Sequence, residues 1–94
     1  MDMTDHIEQL TALLGDIAER HHKAFVSTDG NDPMWALWYA ERLIADSVFT
    51  SLVPLLRDAD ELADRLTELD VSFRKQKAEQ SWQRYYAHQL LAAV

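Results

Sequence analysis

Two kinds of chemistry are open to the residue types in this chain: chelation by its histidines and acids, and ligand recognition by its aromatic rings. The run Glu19-Arg-His-His22 holds one Glu-x-x-His, a spacing that carboxylate-bridged di-iron bundles use twice, with further Glu from other helices. The second copy is missing, and the last helical segment has no Glu. Glu19 also falls nearly opposite the Leu14–Ile17 stripe, so it should face water rather than a bundle interior. The acids of Thr28-Asp-Gly-Asn-Asp-Pro33 lack the alternating oxygen ligands and distal Glu of a calcium loop. The expectation is no metal, no cofactor and no catalytic residue. His21 stands apart because it interrupts an apolar stripe. A histidine there is expected to be packed, hydrogen-bonded and neutral, since burial favours the uncharged form. His88 shares a turn with Arg84 on a polar side and should be exposed.

The rings are the stronger signal, because they recur. Trp35-Ala-Leu-Trp38-Tyr39-Ala40-Glu-Arg-Leu43 and Trp82-Gln-Arg-Tyr85-Tyr86-Ala87-His-Gln-Leu90 share the pattern W-x-x-[WY]-Y-A-x-x-L. With one more residue of shift, Leu14, Ala18 and Phe25 fall on Leu62, Leu66 and Phe73. Two helical hairpins of similar design follow, too few copies for a solenoid. Rings with a polar tip suit positions half in a core and half at a boundary. Core packing explains them; so would an aromatic pocket for an apolar or cationic small molecule, formed by Trp35, Trp38, Tyr39, Trp82 and Tyr86.

Asp29, Gly30, Asp32, Pro33, Trp35, Trp38, Tyr39 and Ala40 also match a D-G-x-D-P-x-W-x-x-W-Y-A pattern. It resembles a signature of small, mostly bacterial helical proteins with no established activity, in which a second W-x-x-Y-Y-A lies near the C-terminus, as at Trp82, Tyr85, Tyr86 and Ala87 here. The residue after the first Trp is often Pro in that pattern and is Ala36 in this chain, which removes a rigid element of the first helical turn. The resemblance implies an all-helical fold and brings no established activity to carry over.

The elements that must position these residues read as an all-α four-helix bundle of two antiparallel hairpins, a single domain over residues 1–94. Helices are expected at about 4–28, 33–50, 59–77 and 82–93. In the first, Ile7, Leu10, Leu13, Leu14, Ile17, Ala18, Ala24 and Phe25 share one face, Thr4 is a candidate cap, and Asp29-Gly30 is a stop. Asp32 followed by Pro33 reads as the start of the next. Val53 before Pro54 ends it, and Asp58 with Glu61 opens a third helix as a capping box. Residues 74–81 carry one apolar residue, so a break with Ser81 as the last cap is expected, with one continuous helix from Ala59 as the alternative.

The second helix is apolar on two sides. Ala36, Leu37, Ala40, Leu43, Ile44 and Val48 make one face, and Trp35, Trp38, Ala45, Phe49 and Leu52 another, divided by a strip with Arg42, Asp46 and Thr50. Four helices cannot easily surround one of their own, so a second copy of the chain is expected to cover the second face. That makes Trp35, Trp38, Tyr39, Phe49, Leu52, Trp82 and Tyr86 the interface or pocket candidates.

The chain of 94 residues has no Cys and a net charge of −7. Such a charge disfavours nucleic acid and anionic membrane surfaces, both of which call for clustered Lys and Arg. No apolar run approaches the about 18 residues of a spanning helix, and the acidic start Met1-Asp-Met-Thr-Asp5 has no signal-peptide pattern. The acids of residues 57–70 fit a solvated helix side, or a docking face for a basic protein partner. The expectation is a cytoplasmic, non-enzymatic interaction or oligomerisation protein, homodimeric through its second helix; the alternative is a small-ligand-binding bundle with an aromatic pocket.

Overall fold

A computed structural model of the protein describes residues 3–26, 32–76 and 80–92. Among them the only regular structure is helical: α1 (Met3–Ala24), α2 (Trp35–Ile44), α3 (Ser47–Leu52), α4 (Ala59–Lys75) and α5 (Trp82–Ala92). None is long and apolar enough to cross a membrane. The expected stop at Asp29-Gly30 lies outside the described residues.

α1 begins at Met3, so Thr4 sits within the helix rather than capping it. The stripe on α1 is inward: Ile7, Leu10, Leu14 and Ile17 are buried, continued by His21 one turn on. Ala24 is the exception and lies exposed. Local caps define the later helices as their residue types predict. The Asp58 carboxylate accepts the amides of Asp60 and Glu61 at 2.9 and 3.5 Å, and Ser81 Oγ accepts that of Arg84 at 3.2 Å. α4 ends at Lys75, with Gln76 in an extended conformation beyond it, so the C-terminal third is two helices. Pro54 follows α3, whose last cap is the buried Val53.

The second helix is a correction. Instead of running over residues 33–50 it stops at Ile44, and a short helix restarts at Ser47. Asp46 causes the restart: its backbone is extended (φ −94°, ψ 126°), and its carboxylate accepts the amide of Val48 at 2.9 Å, an N-cap bond. The break exchanges two neighbours. An unbroken helix would aim Val48 at the core and Phe49 at the outer face. Here Val48 is 44 % exposed and Phe49 is fully buried. Burying the larger side chain removes more apolar surface from water, on the order of 25 cal/mol for each Å², and the cap offsets the interrupted helical hydrogen bonds.

With Phe49 in the core and Leu52 packed against it, part of the second apolar face is taken up by the chain's own packing, while Trp35 and Trp38 stay half-buried and Ala45 exposed. Trp38 is half-buried, and the Arg42 guanidinium carbon lies 4.4 Å from its ring centroid, so the chain's own cation covers it. Phe49 and Leu52 of this face are thus covered within the chain itself.

Pairing of the helices differs from consecutive hairpins. α1 packs chiefly against α5, and α2 against α4, with much less contact between neighbours in sequence. Since α1 corresponds to α4 in the internal repeat and α2 to α5, exchanging the two halves turns one principal pairing into the other. The repeat is thus expressed as two interlocked halves. Phe49→Ala should lower stability by about 3–5 kcal/mol in chemical denaturation. A cost below about 1 kcal/mol would return Phe49 to the surface.

Candidate functional site

The two copies of the aromatic motif place equivalent residues in equivalent settings. Ala40 and Ala87 are fully buried, as are Leu43 and Leu90, and Tyr39 and Tyr86 are nearly so. Their ring contacts also correspond. Trp35 meets Tyr39 edge-to-face at 5.9 Å, and Trp82 meets Tyr86 in the same way at 5.1 Å. Phe25 meets Trp38 at 6.2 Å, and their counterparts Phe73 and Tyr85 lie 5.5 Å apart. A Tyr39–Trp82 contact at 6.1 Å then joins one copy to the other. Trp35, Tyr39, Trp82 and Tyr86 form one continuous chain of rings, each offering an edge to its neighbour's face as the aromatic quadrupole prefers.

This chain of rings lines an open cleft of about 490 Å³, which His21, Asp32, Asp70, Phe73 and Arg74 complete. The last turn of α1, the first turns of α2 and α5 and the last turns of α4 converge there. The volume lies within the range of about 300–1,000 Å³ typical of small-molecule sites. Of the seven residues singled out from sequence, the cleft gathers four: Trp35, Tyr39, Trp82 and Tyr86. Trp38 stands behind it, against His21 and Phe25, while Phe49 and Leu52 belong to the core packing.

One wall of the cleft is built on His21. The residue is 8 % exposed, and its ring lies 4.7 Å from Phe25, 5.1 Å from Trp38 and 5.2 Å from Tyr39. Nε2 donates to Asp32 Oδ2 at 3.1 Å, since an ionised carboxylate only accepts. The other oxygen, Oδ1, accepts the Met34 amide at 3.0 Å. The carboxylate that Asp32 supplies for the turn into α2 therefore also ties that turn to α1. α2 itself starts two residues after Pro33, at Trp35.

The opposite wall is Asp70. It accepts the Tyr86 phenol O–H at 3.4 Å and Arg74 Nε at 3.2 Å. Burial, then the adjacent Asp70 charge and the hydrogen bond to it, push the Tyr86 phenol far above its ordinary range. Burial alone raises Tyr39. Both rings therefore present neutral hydroxyls at neutral pH, donors and acceptors rather than charges.

The polar residues of the cleft sit where the two halves of the chain differ. His21 corresponds to Leu69, Asp70 to the exposed His22, and Arg74 to Val26. From sequence Asp70 reads only as a member of an acidic helix side, and Arg74 only as the start of the polar segment 74–81. The available signal was this mismatch with the repeat, together with their spacing of one helical turn.

Elsewhere the charged residues are solvated. Glu19 is exposed and pairs with Lys23 at 3.6 Å, Arg20 pairs with Asp16, and His88 is exposed. Among the described residues, no three His, Asp or Glu side chains are grouped to hold a metal ion. Comparison with protein-family models, curated proteins and solved structures gave no match.

The His21–Asp32 bond should be energetically real, because both side chains are about nine-tenths buried and removing one strands the other. A double-mutant cycle of His21→Ala and Asp32→Ala is expected to give a coupling energy of about 1 kcal/mol or more. Strict additivity would show that Asp32 serves only the turn before α2, whose N-cap is Met34 without a side-chain cap bond.

Proposed function

We propose that this protein is a non-enzymatic small-ligand-binding helical domain whose site is the cleft between the two aromatic motifs. The observation that carries this reading is convergence. Two segments far apart in sequence bring two tryptophans and two tyrosines to one opening at the ends of four helices, beside His21, Asp32, Asp70 and Arg74. Rings needed only as core filling would not have to share an open cleft. The helix termini also supply a rigid frame: the Asp32 turn is tied to α1, and Ser81 fixes the first turn of α5. Such a frame limits the ordering cost of binding.

A binding role fits the side chains better than catalysis. His21 directs Nε2 to Asp32, which also holds the Met34 amide, so the pair is committed to joining α1 and α2. The remaining hydroxyls of the cleft wall are the phenols of Tyr39 and Tyr86, whose raised ionisation makes them poor nucleophiles at neutral pH. Homodimerisation through the second helix has no comparable support, since Phe49 lies in the chain's own core.

A thermal-shift screen with small aromatic compounds tests the proposal. A ligand at ten times its Kd stabilises a fold by about 1.4 kcal/mol, a rise of roughly 5 °C or more for a domain of this size. Trp82→Ala should abolish the response, and Trp38→Ala, outside the cleft, should retain it. A screen with no response, or one lost in Trp38→Ala and kept in Trp82→Ala, would overturn the assignment.

A further inference from the structure

We infer that the ligand of this cleft is an aromatic or aryl-alkyl organic cation, its ammonium group held by the Asp70 carboxylate and its body by the rings of Trp35, Trp82 and Tyr86. The inference rests on the reading of the cleft as a ligand site and assigns that ligand a chemical class.

The two carboxylates of the cleft differ in availability. Asp32 has a side chain 8 % exposed, with one oxygen on His21 and the other on the Met34 amide. It is committed to the fold. Asp70 is 26 % exposed, and its partners leave it capacity. The Tyr86 hydroxyl approaches only to 3.4 Å, and a carboxylate has about four lone-pair sites. Its other partner, Arg74, is 77 % exposed. An ion pair one turn apart on an exposed helix side is worth only about 0–1 kcal/mol, so an incoming ammonium can share Asp70 or displace the guanidinium at little cost.

The rings around Asp70 favour the same charge. Trp82 lies edge-to-face with both Tyr39 and Tyr86, and all three line the cleft together with Trp35. Aromatic faces are electron-rich and attract cations, most strongly for Trp and where water is partly excluded. An anion would meet Asp32, Asp70 and those ring faces, with Arg74 as the one Arg or Lys among the described residues that line the cleft. At longer range the net charge of −7 raises the local concentration of cations and lowers that of anions. The position itself departs from the repeat: where α4 carries Asp70 inside the cleft, α1 carries the exposed His22. Packing of the repeated scaffold therefore does not require an acid there.

Three probes of nearly equal size separate the possibilities: 2-phenylethylammonium, 2-phenylethanol and 3-phenylpropionate, titrated calorimetrically into the full chain at low salt. The ammonium compound should bind about tenfold more tightly than the alcohol, the increment of a charge-assisted hydrogen bond, and the carboxylate should be weakest. Asp70→Asn should reduce the ammonium compound to the level of the alcohol and leave the alcohol unchanged. Arg74→Gln changes a side chain that is 77 % exposed, and it should tighten the ammonium compound about threefold by removing its competitor. If Asp70→Asn fails to fold by circular dichroism, Arg74→Gln decides, and weaker ammonium binding in it overturns the inference. Alcohol or carboxylate binding as tightly as ammonium overturns the cation assignment and leaves the cleft reading standing. If none of the three binds, both fall.

Discussion

The edge-to-face contact between Tyr39 and Trp82 is where the two halves of this molecule become one site. Each half carries its own ring pair on its own helix, and neither pair alone encloses anything. A small domain buries a limited fraction of its surface, so large rings are best stacked against one another at an end of the bundle, with polar tips turned toward water or a hydrogen-bonding partner. The fully buried Ala40 and Ala87 let neighbouring helices approach beneath the rings, and Leu43 and Leu90 anchor the same faces one turn further in. The cleft follows from bringing four such helix ends together with rings too bulky to close over it.

The internal repeat separates scaffold from site. What recurs between the halves is packing: the alanines, the leucines, the Trp–Tyr pairs and the Phe25 and Phe73 contacts. What does not recur is the polar chemistry, in which His21 replaces a leucine, and Asp70 and Arg74 stand where the first half has the exposed His22 and Val26. His21 and Asp32 serve position, fixing the entry to α2 against α1. Asp70 is left with its charge near the rings and a loosely held partner. A duplicated architecture has thus been made asymmetric at its opening, where a ligand with two unlike ends would be read.

Much of this organisation is legible in the residues because its causes are local. Asp58 and Ser81 cap the helices that follow them, Pro54 stands beyond the end of another, and the three- and four-residue spacing of Ile7, Leu10, Leu14 and Ile17 declares the buried side of α1. The break at Asp46 is different. Asp46 fits equally well as a polar residue on an unbroken helix or as the cap of a new one, and only the burial of Phe49 against the rest of the bundle decides between them. The same limit hides the pairing of α1 with α5 and α2 with α4, since periodicity tells which face is apolar and not what it meets. The rings of the cleft were recognisable by repetition. Asp70 and Arg74 were not, because a charged pair one turn apart looks the same beside a cleft as on an open surface.

If the opening between the two aromatic motifs receives the ligand, the three tryptophans report on it independently. Two of them, Trp35 and Trp82, line the cleft, whereas Trp38 stands outside it beneath Arg42. Nitrogen-labelled protein titrated with 2-phenylethylammonium and with 2-phenylethanol would show all three indole N–H signals in one proton–nitrogen correlation spectrum. Trp35 and Trp82 are expected to move with a common saturation curve while Trp38 holds its position. Movement of Trp38 with the other two fixed would contradict it, and so would three stationary signals at millimolar probe.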